Sequence, residues 1–332
     1  MSPLKILFIG GTGTISAASS AQTIAAGHQL TLLNRGTTAS RPVPAGAEVL
    51  TADIRDPASV RSALGAREFD VVVDFIAFTP DHVRTDIDLF TSRTSQYVFI
   101  SSASAYQKPV ARLPIVESTP LRNPYWQYSR DKIACEDLLL EAYRDDGFPI
   151  TIVRPSSTYD HSRVALPGGW TVVDRMRRGL PVVVHGDGTS LWTMTHTEDF
   201  AIGFVGLLGH PQAIGDSFHI TSDEVLTWNH IFGLYGTALG VTPQLVHVAS
   251  DTLAAVLPEI GPGIVGDKAH SVIFDNSKIK SLVPEFCATI PYATGVREIV
   301  GWHDEHPDAQ VVDAGLNARL DALIDKVQSL GN

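Results

Sequence analysis

Residues 5–13, Lys5-Ile6-Leu7-Phe8-Ile9-Gly10-Gly11-Thr12-Gly13, decide how the chain folds. Four consecutive apolar side chains run straight into glycines, and a helix-forming stretch from Thr12 to Ala26 follows. An apolar run without polar alternation marks a strand buried on both faces, as in a parallel sheet. Gly10 permits the turn out of that strand, and Gly13 lets a phosphate approach the backbone. The first turn of the helix then offers free N–H groups and a positive dipole end to a pyrophosphate. Where the usual glycine pattern has its third glycine this chain has Ser16, still small enough for close helix–strand packing.

The same alternation continues outward. Leu30–Leu33, Glu48–Leu50, Val71–Phe75, Gln96–Ser101 and Ile150–Arg154 read as further strands, the last ended by Pro155. Helices are expected from Pro57, with Asp56 as N-cap, through Asp81–Phe90 and over Tyr128–Arg144. Strand and helix alternating in this way predict right-handed βαβ units and a doubly wound Rossmann-type α/β fold. Past Tyr159 the regularity loosens, with Gly168-Gly169, Gly186-Asp187-Gly188 and Gly261-Pro262-Gly263 as loop signals. Residues 1–160 are therefore expected to bind a dinucleotide, with segments near 195–222 returning to that unit. Residues 161–332 are expected to form mainly a smaller substrate-binding domain that closes a cleft at the strand ends.

Composition narrows the partners. A formal net charge of −11 argues against nucleic acid, which needs a basic face. No apolar run approaches a membrane span, and the first strand starts too close to Met1 for a cleaved leader to be expected. Cys135 and Cys287 are too few and too distant for a disulfide framework; both are read as buried thiols of a cytoplasmic protein. No histidine stands in a metal-ligand spacing, and His196 reads as structural.

The end of the second strand is where such folds read the adenosine ribose. Asn34 stands there instead of an acidic residue, with Arg35 next and Arg41 beyond. A guanidinium can pair with a 2′-phosphate, whereas Asn34 can hydrogen-bond a plain ribose, so NAD and NADP both remain open. Asp53 and Ile54 stand where the adenine is flanked; Asp53 could accept from its amino group or cap a turn.

Tyr128 and Lys132 lie four residues apart on one helix face, and of the eight tyrosines only Tyr128 has a lysine at that spacing. A phenol titrates near pH 10, too high for a base at neutral pH, and a nearby ammonium favours the phenolate. Ser102 closes a buried strand at the sheet edge where ligands bind, placed to hydrogen-bond the same substrate oxygen.

At this point the chain resembles the extended short-chain dehydrogenase/reductase superfamily, and within it the NAD-dependent epimerase/dehydratase group. The resemblance rests on Gly10–Ser16 (GGTGTIS), Ala52–Asp56 (ADIRD), Phe99–Tyr106 (FISSASAY), Tyr128–Lys132 (YSRDK) and Val153–Tyr159 (VRPSSTY). It continues through Gly186–Ala201, Phe274–Lys280 and Gly295–Trp302. It implies Ser102, Tyr128 and Lys132 as hydrogen bonder, acid/base and phenolate stabiliser, Lys132 also holding the nicotinamide ribose. It further implies Gly10, Gly13, Thr14, Ile15, Asn34, Arg35, Asp53, Ile54, Ala77, Phe78 and Pro155 along the cofactor. Ser102, Ser104, Ser157 and Trp192 are expected to face a carbohydrate-type substrate.

Departures from the group narrow the reaction. Its sugar 4,6-dehydratases carry an Asp–Glu pair after the catalytic hydroxyl residue; here Ala103 and Ser104 stand there, which disfavours elimination of water. Its nucleotide-sugar epimerases carry a diphosphate-binding arginine near the position of Trp192. An indole can stack on a sugar or base or simply pack in the core, and Arg163, Arg175, Arg177 or Arg178 could replace the missing charge. The resemblance thus implies an epimerase acting through transient oxidation, with an NADPH-dependent ketone or aldehyde reductase as the alternative. Chloroplast RNA-binding relatives within the group keep a nucleotide-sensing or RNA-binding role open. A homodimer through the long Tyr128–Arg144 helix is implied by resemblance alone.

Overall fold

The computed structural model describes residues 2–36 and 41–329, so part of the polar loop after Gly36 lies outside the described residues. The six strands expected from the sequence are present as β1 (Lys5–Ile9), β2 (Gln29–Asn34), β3 (Glu48–Thr51), β4 (Phe69–Asp74), β5 (Thr94–Ile100) and β6 (Ile150–Pro155). Beyond them lie β7 (Ser157–Tyr159), β8 (Val182–His185), β9 (Leu191–Trp192), β10 (Met194–His196) and β11 (Asp216–Ile220). The helices that position the site are α1 (Thr14–Ala25), α2 (Pro57–Leu64), α3 (Pro80–Phe90), α4 (Gln127–Asp146), α5 (Trp170–Arg177), α6 (Thr197–Leu207) and α7 (Trp228–Leu239).

Seven strands form one parallel sheet in the order β11-β6-β5-β4-β1-β2-β3. The order reverses between β1 and β4, and the crevice at such a switch point is where doubly wound sheets bind ligands. Ile6, Leu7, Phe8 and Ile9 are all fully buried, alternating between the two layers. Leu7 and Ile9 pack with Val60 of α2, Val83 and Phe90 of α3 and Leu139 of α4. Ile6 and Phe8 pack with Phe200 and Phe204 of α6. Each such burial is worth about 1.5–3 kcal/mol, which is why this strand centres the fold.

The helix after β1 starts at Thr14, later than the pattern suggested. Gly10, at φ +79°, and the extended Gly13 use up the intervening residues in the turn. Asp56 caps α2 as expected, accepting from the Ala58 and Ser59 amides at 3.1 and 3.2 Å, with Pro57 in the first position.

The C-terminal part has its own core, in which Trp170, Trp192, Trp228, Tyr159, Tyr235 and Tyr292 are buried together. β11 joins the edge of the parallel sheet and α6 packs on it. Ile279, Val283 and Phe286 join the same layer, so a later segment than 195–222 also covers the sheet.

Two expectations need correcting. Gly261-Pro262-Gly263 is a helical turn that runs directly into a π-helical turn at Ile264–Lys268, Pro262 supplying a preset φ at its start. Cys135 is buried, its thiol pushed up to about 12 by burial, but Cys287 is exposed. Among the described residues no helix is long and apolar enough to cross a membrane.

Candidate active site

The turn after β1 is built for close approach. A Cβ at Gly10 would lie 2.7 Å from Ile76 Cγ2, and at Gly13 it would meet only Ser16 Oγ, at 3.3 Å. Ser16 is buried where a third glycine was expected. Its hydroxyl donates to the Gly10 carbonyl at 2.6 Å and accepts from the Gly13 amide at 2.8 Å, so serine packs closely and also braces the turn. No side chain caps the start of α1, which leaves its first amides facing the crevice. This cradle fits the pyrophosphate of a dinucleotide.

The flanking positions divide. Asn34 ends β2 half-buried and Arg35 just beyond it is exposed. Arg41 does not face the ribose as a phosphate reader; its guanidinium pairs with Asp160 at 2.5 Å. Asp53 caps a turn, accepting from the Arg55 amide at 2.9 Å, and Ile54 is buried. Ile15, Phe78 and Pro155 line a cleft of about 310 Å³ together with Ser102, Tyr128 and Lys132.

Within that cleft, α4 carries Tyr128 and Lys132 on the face toward the ends of β4 and β5. Lys132 Nζ donates to the Ala77 carbonyl at 2.6 Å and to the Ile100 carbonyl at 2.7 Å. It lies 4.8, 4.7 and 5.9 Å from the ring centres of Phe78, Phe99 and Tyr128. Burial pulls its ammonium down to about 8, against the opposing charges of Asp74 and Glu136. Burial also holds the Tyr128 phenol above its ordinary value. A hydrogen bond with Ser102 and the charge of Arg163 pull it back, and the Asp267 carboxylate pushes it further up. The Lys132 ammonium is held by carbonyls beneath the ring, and the effects that favour the phenolate come from Ser102 and Arg163.

Ser102 is fixed by a chain of hydroxyls. Its Oγ lies 2.8 Å from Ser104 Oγ, which lies 2.7 Å from Ser129 Oγ. Ser104 thus lines the cleft with its hydroxyl and amide both on Ser102 Oγ, while its carbonyl accepts from Asn123. Ser157 also lines it and accepts from the Trp192 indole N–H at 3.0 Å. Trp192 itself is 1% exposed and packs against Trp228, so it is a core residue that steadies Ser157, not a stacking platform.

Behind the cleft, Glu136 follows Lys132 by one helical turn and is fully buried. It pairs with Arg154 of β6 at 2.5 Å and accepts from the hydroxyl of Ser101. This pair ties α4 to β5 and β6.

Of the arginines proposed to replace the missing charge, Arg175, Arg177 and Arg178 are paired with Asp321, Asp304 and Asp174. Arg163 instead lines the cleft, together with three residues that sequence reasoning missed: Trp126, Asp267 and Lys268. Asp267 and Lys268 come from the π-helical turn, and no local pattern announces such a turn. Trp126 sits at the N-cap of α4, two residues before Tyr128, the one position proximity could have flagged. A second cleft of about 330 Å³ adjoins the first and shares Trp126, Ser157, Thr158, Arg163 and Lys268 with it. Lys268 Nζ lies 5.8 Å from the Trp126 ring centre and 5.7 Å from that of Trp192.

Known proteins are similar to this chain over most of its length. UDP-glucose 4-epimerase of Lactobacillus helveticus is 28% identical over 344 residues, covering 92% of this chain and 98% of its own. The 2′-dehydrokanamycin reductase of Streptomyces kanamyceticus is 23% identical, covering 85% and 80%. A chloroplast stem-loop binding protein of Arabidopsis thaliana is 27% identical, covering 73% and 65%. Among solved structures, an epimerase of Methanothermobacter thermautotrophicus superposes with a TM-score of 0.76 at 16% identity, over 93% of this chain and 94% of its own. UDP-glucose 4-epimerase of Bifidobacterium longum, solved with NAD⁺ and UDP, gives 0.73 at 18%, over 92% and 99%. The model of the NAD dependent epimerase/dehydratase family matches residues 6–221, the span from β1 through β11 that holds both the glycine cradle and the Ser102–Tyr128–Lys132 set. The chain therefore belongs to that family, as a nicotinamide-dinucleotide enzyme of the short-chain dehydrogenase/reductase superfamily.

Proposed function

We propose that this enzyme epimerises a hydroxyl-bearing carbon of a sugar or sugar-containing small molecule, a nucleotide sugar being the best-supported class. The observation that carries this reading is the convergence of Ser102, Tyr128 and Lys132 on one cleft that continues, past Arg163 and Lys268, into a second. The cofactor, when bound, accepts a hydride from the substrate carbon and returns it. Tyr128 takes the hydroxyl proton as the carbon loses its hydride, and Ser102 steadies that oxygen by a hydrogen bond. Lys132 lies beneath the phenol on the side of Ala77 and Phe78, the positions expected along the cofactor. When the hydride comes back to the opposite face, Tyr128 returns the proton, and no net redox occurs. Arg163 and Lys268, where the first cleft meets the second, give an anionic part of the substrate its partners. Ala103 and Ser104, where dehydratases carry Asp and Glu, speak against elimination.

A reductase is the second reading, favoured by the similarity to 2′-dehydrokanamycin reductase over most of the chain and by the exposed Arg35, free to meet a 2′-phosphate. RNA binding, suggested by the name of the Arabidopsis relative, fits poorly with a net charge of −11. A homodimer through α4 remains part of the proposal on resemblance.

The test is to denature freshly purified protein, quantify the nucleotide released, and assay UDP-sugars without added cofactor. Near-stoichiometric NAD with unaided epimerisation is expected. An empty protein that turns over only with added NADPH would replace the epimerase by the reductase.

A further inference from the structure

Arg41 follows β2, whereas Asp160 and Ser162 follow β6 and β7. In the sheet, β2 and β6 lie on opposite sides of the switch point, four strand spacings or about 19 Å apart. The Arg41 guanidinium nevertheless joins the two sides. Its Nε donates to Asp160 Oδ2 at 2.5 Å, and one terminal nitrogen donates to Ser162 Oγ at 2.6 Å and to Thr14 Oγ1 at 3.2 Å. Thr14 opens α1, so the third contact falls at the cradle offered to the pyrophosphate. Asp160 Oδ1 in turn accepts from the amide and hydroxyl of Ser162, at 3.0 and 2.8 Å, which orients the carboxylate toward Arg41. The side chains of Arg41 and Asp160 are 15% and 8% exposed.

We propose that Arg41, with Asp160 and Ser162, forms a clasp across the dinucleotide groove that keeps the cofactor bound through successive turnovers. The inference rests on the cofactor lying in the Gly10–Thr14 cradle. A dinucleotide entering or leaving there must part the clasp, and a reaction that regenerates its own cofactor gains from never opening it. The clasp also commits Arg41 away from the ribose, leaving Arg35 as the cation near Asn34. The Asp160 carboxyl bears the mark of this pairing. Burial pushes it up, but the hydrogen bonds from Arg41 and Ser162 outweigh that and leave it below the usual carboxylate range.

The test uses the full-length protein loaded with NADH and chased with excess NAD, release being followed by nicotinamide fluorescence. Arg41→Ala and Asp160→Asn are each expected to speed release about tenfold or more, the scale of losing a hydrogen bond to a charged partner. The double variant should release no faster than the faster single variant, because the two residues share one contact. Arg41→Lys, which keeps the charge but loses the fork, should lie between. Release within twofold of wild type in both single variants, or independent additive effects in the double, would overturn the clasp while leaving the cofactor site standing. A wild-type protein that binds neither NAD nor NADP would overturn the cofactor site itself.

Discussion

In the proposed reading, recognition rests on backbone on the cofactor side of the crevice and on side chains on the substrate side. The cofactor wall is the run from Gly10 to Thr14, braced by Ser16, in which tight turning and exposed amides do the binding. The proposed substrate wall is Trp126, Arg163, Asp267 and Lys268, which line the cleft and come from segments far apart in the chain. A backbone site is specified within a few consecutive residues and suits a ligand shared by a whole family. A side-chain site needs the fold to assemble it, and each member can rebuild it for its own substrate. Here Trp192 lies in the core, while Arg163 and Lys268 line the cleft that adjoins the first.

The largest effect is expected behind the cleft, where a buried ion pair holds α4, the helix of Tyr128 and Lys132, against β6. Glu136→Ala leaves Arg154 charged and unpaired in the interior and should cost about 3–5 kcal/mol of stability in denaturant unfolding. Glu136→Gln, which can still hydrogen-bond, should lose less; equal stability in all three proteins would mean that α4 is held to β6 independently of this pair. Next comes the substrate wall alone. Lys268→Ala and Arg163→Ala should each raise KM about ten- to a hundredfold, as for a lost charged hydrogen bond, with NAD affinity unchanged by calorimetry. If NAD affinity falls instead, the two walls are not separable. The cofactor wall gives the third test. Gly10→Ala combines a left-handed φ, costing about 1–2 kcal/mol, with a contact against Ile76, and should weaken nucleotide binding before it touches substrate KM.

The smallest effect is one of tuning. The oxidation step needs the ionised phenol, so its rate rises with pH. Asp267 helps to hold the Tyr128 phenol high, so Asp267→Asn should move the rising limb to lower pH. Arg163→Ala should move it the other way. A limb that does not respond to either change would mean that Tyr128 is not the group it reports.

The same contrast explains what the sequence made legible. Strands β1, β2, β4, β5 and β6 announce themselves because buried parallel strands are mostly continuous apolar runs, whereas β3 is a short, largely exposed edge strand, and Asp56-Pro57 announces α2 because a cap is a local hydrogen-bond pattern. The spacing of Tyr128 and Lys132 is a single helical turn and was equally plain. Asp267 and Lys268 were not legible: they act from a π-helical turn, after a Gly-Pro-Gly stretch that reads as a loop. Trp192 misled because an indole in a binding-site segment fits both stacking and packing, and only tertiary burial decides between them. Arg41 misled similarly. Its position in the chain suited a ribose phosphate, and the partner it found, Asp160, lies more than a hundred residues away.

The most direct test of the account is the rate of hydride transfer to bound NAD in a single turnover, followed by nicotinamide absorbance. The sugar nucleotide used is the one that wild type converts, and wild type is compared with Tyr128→Phe. The account predicts a loss of about 10²–10⁴-fold, with nucleotide affinity and unfolding unchanged, because only the acid/base hydroxyl is removed. A Tyr128→Phe protein that transfers hydride at the wild-type rate would contradict it.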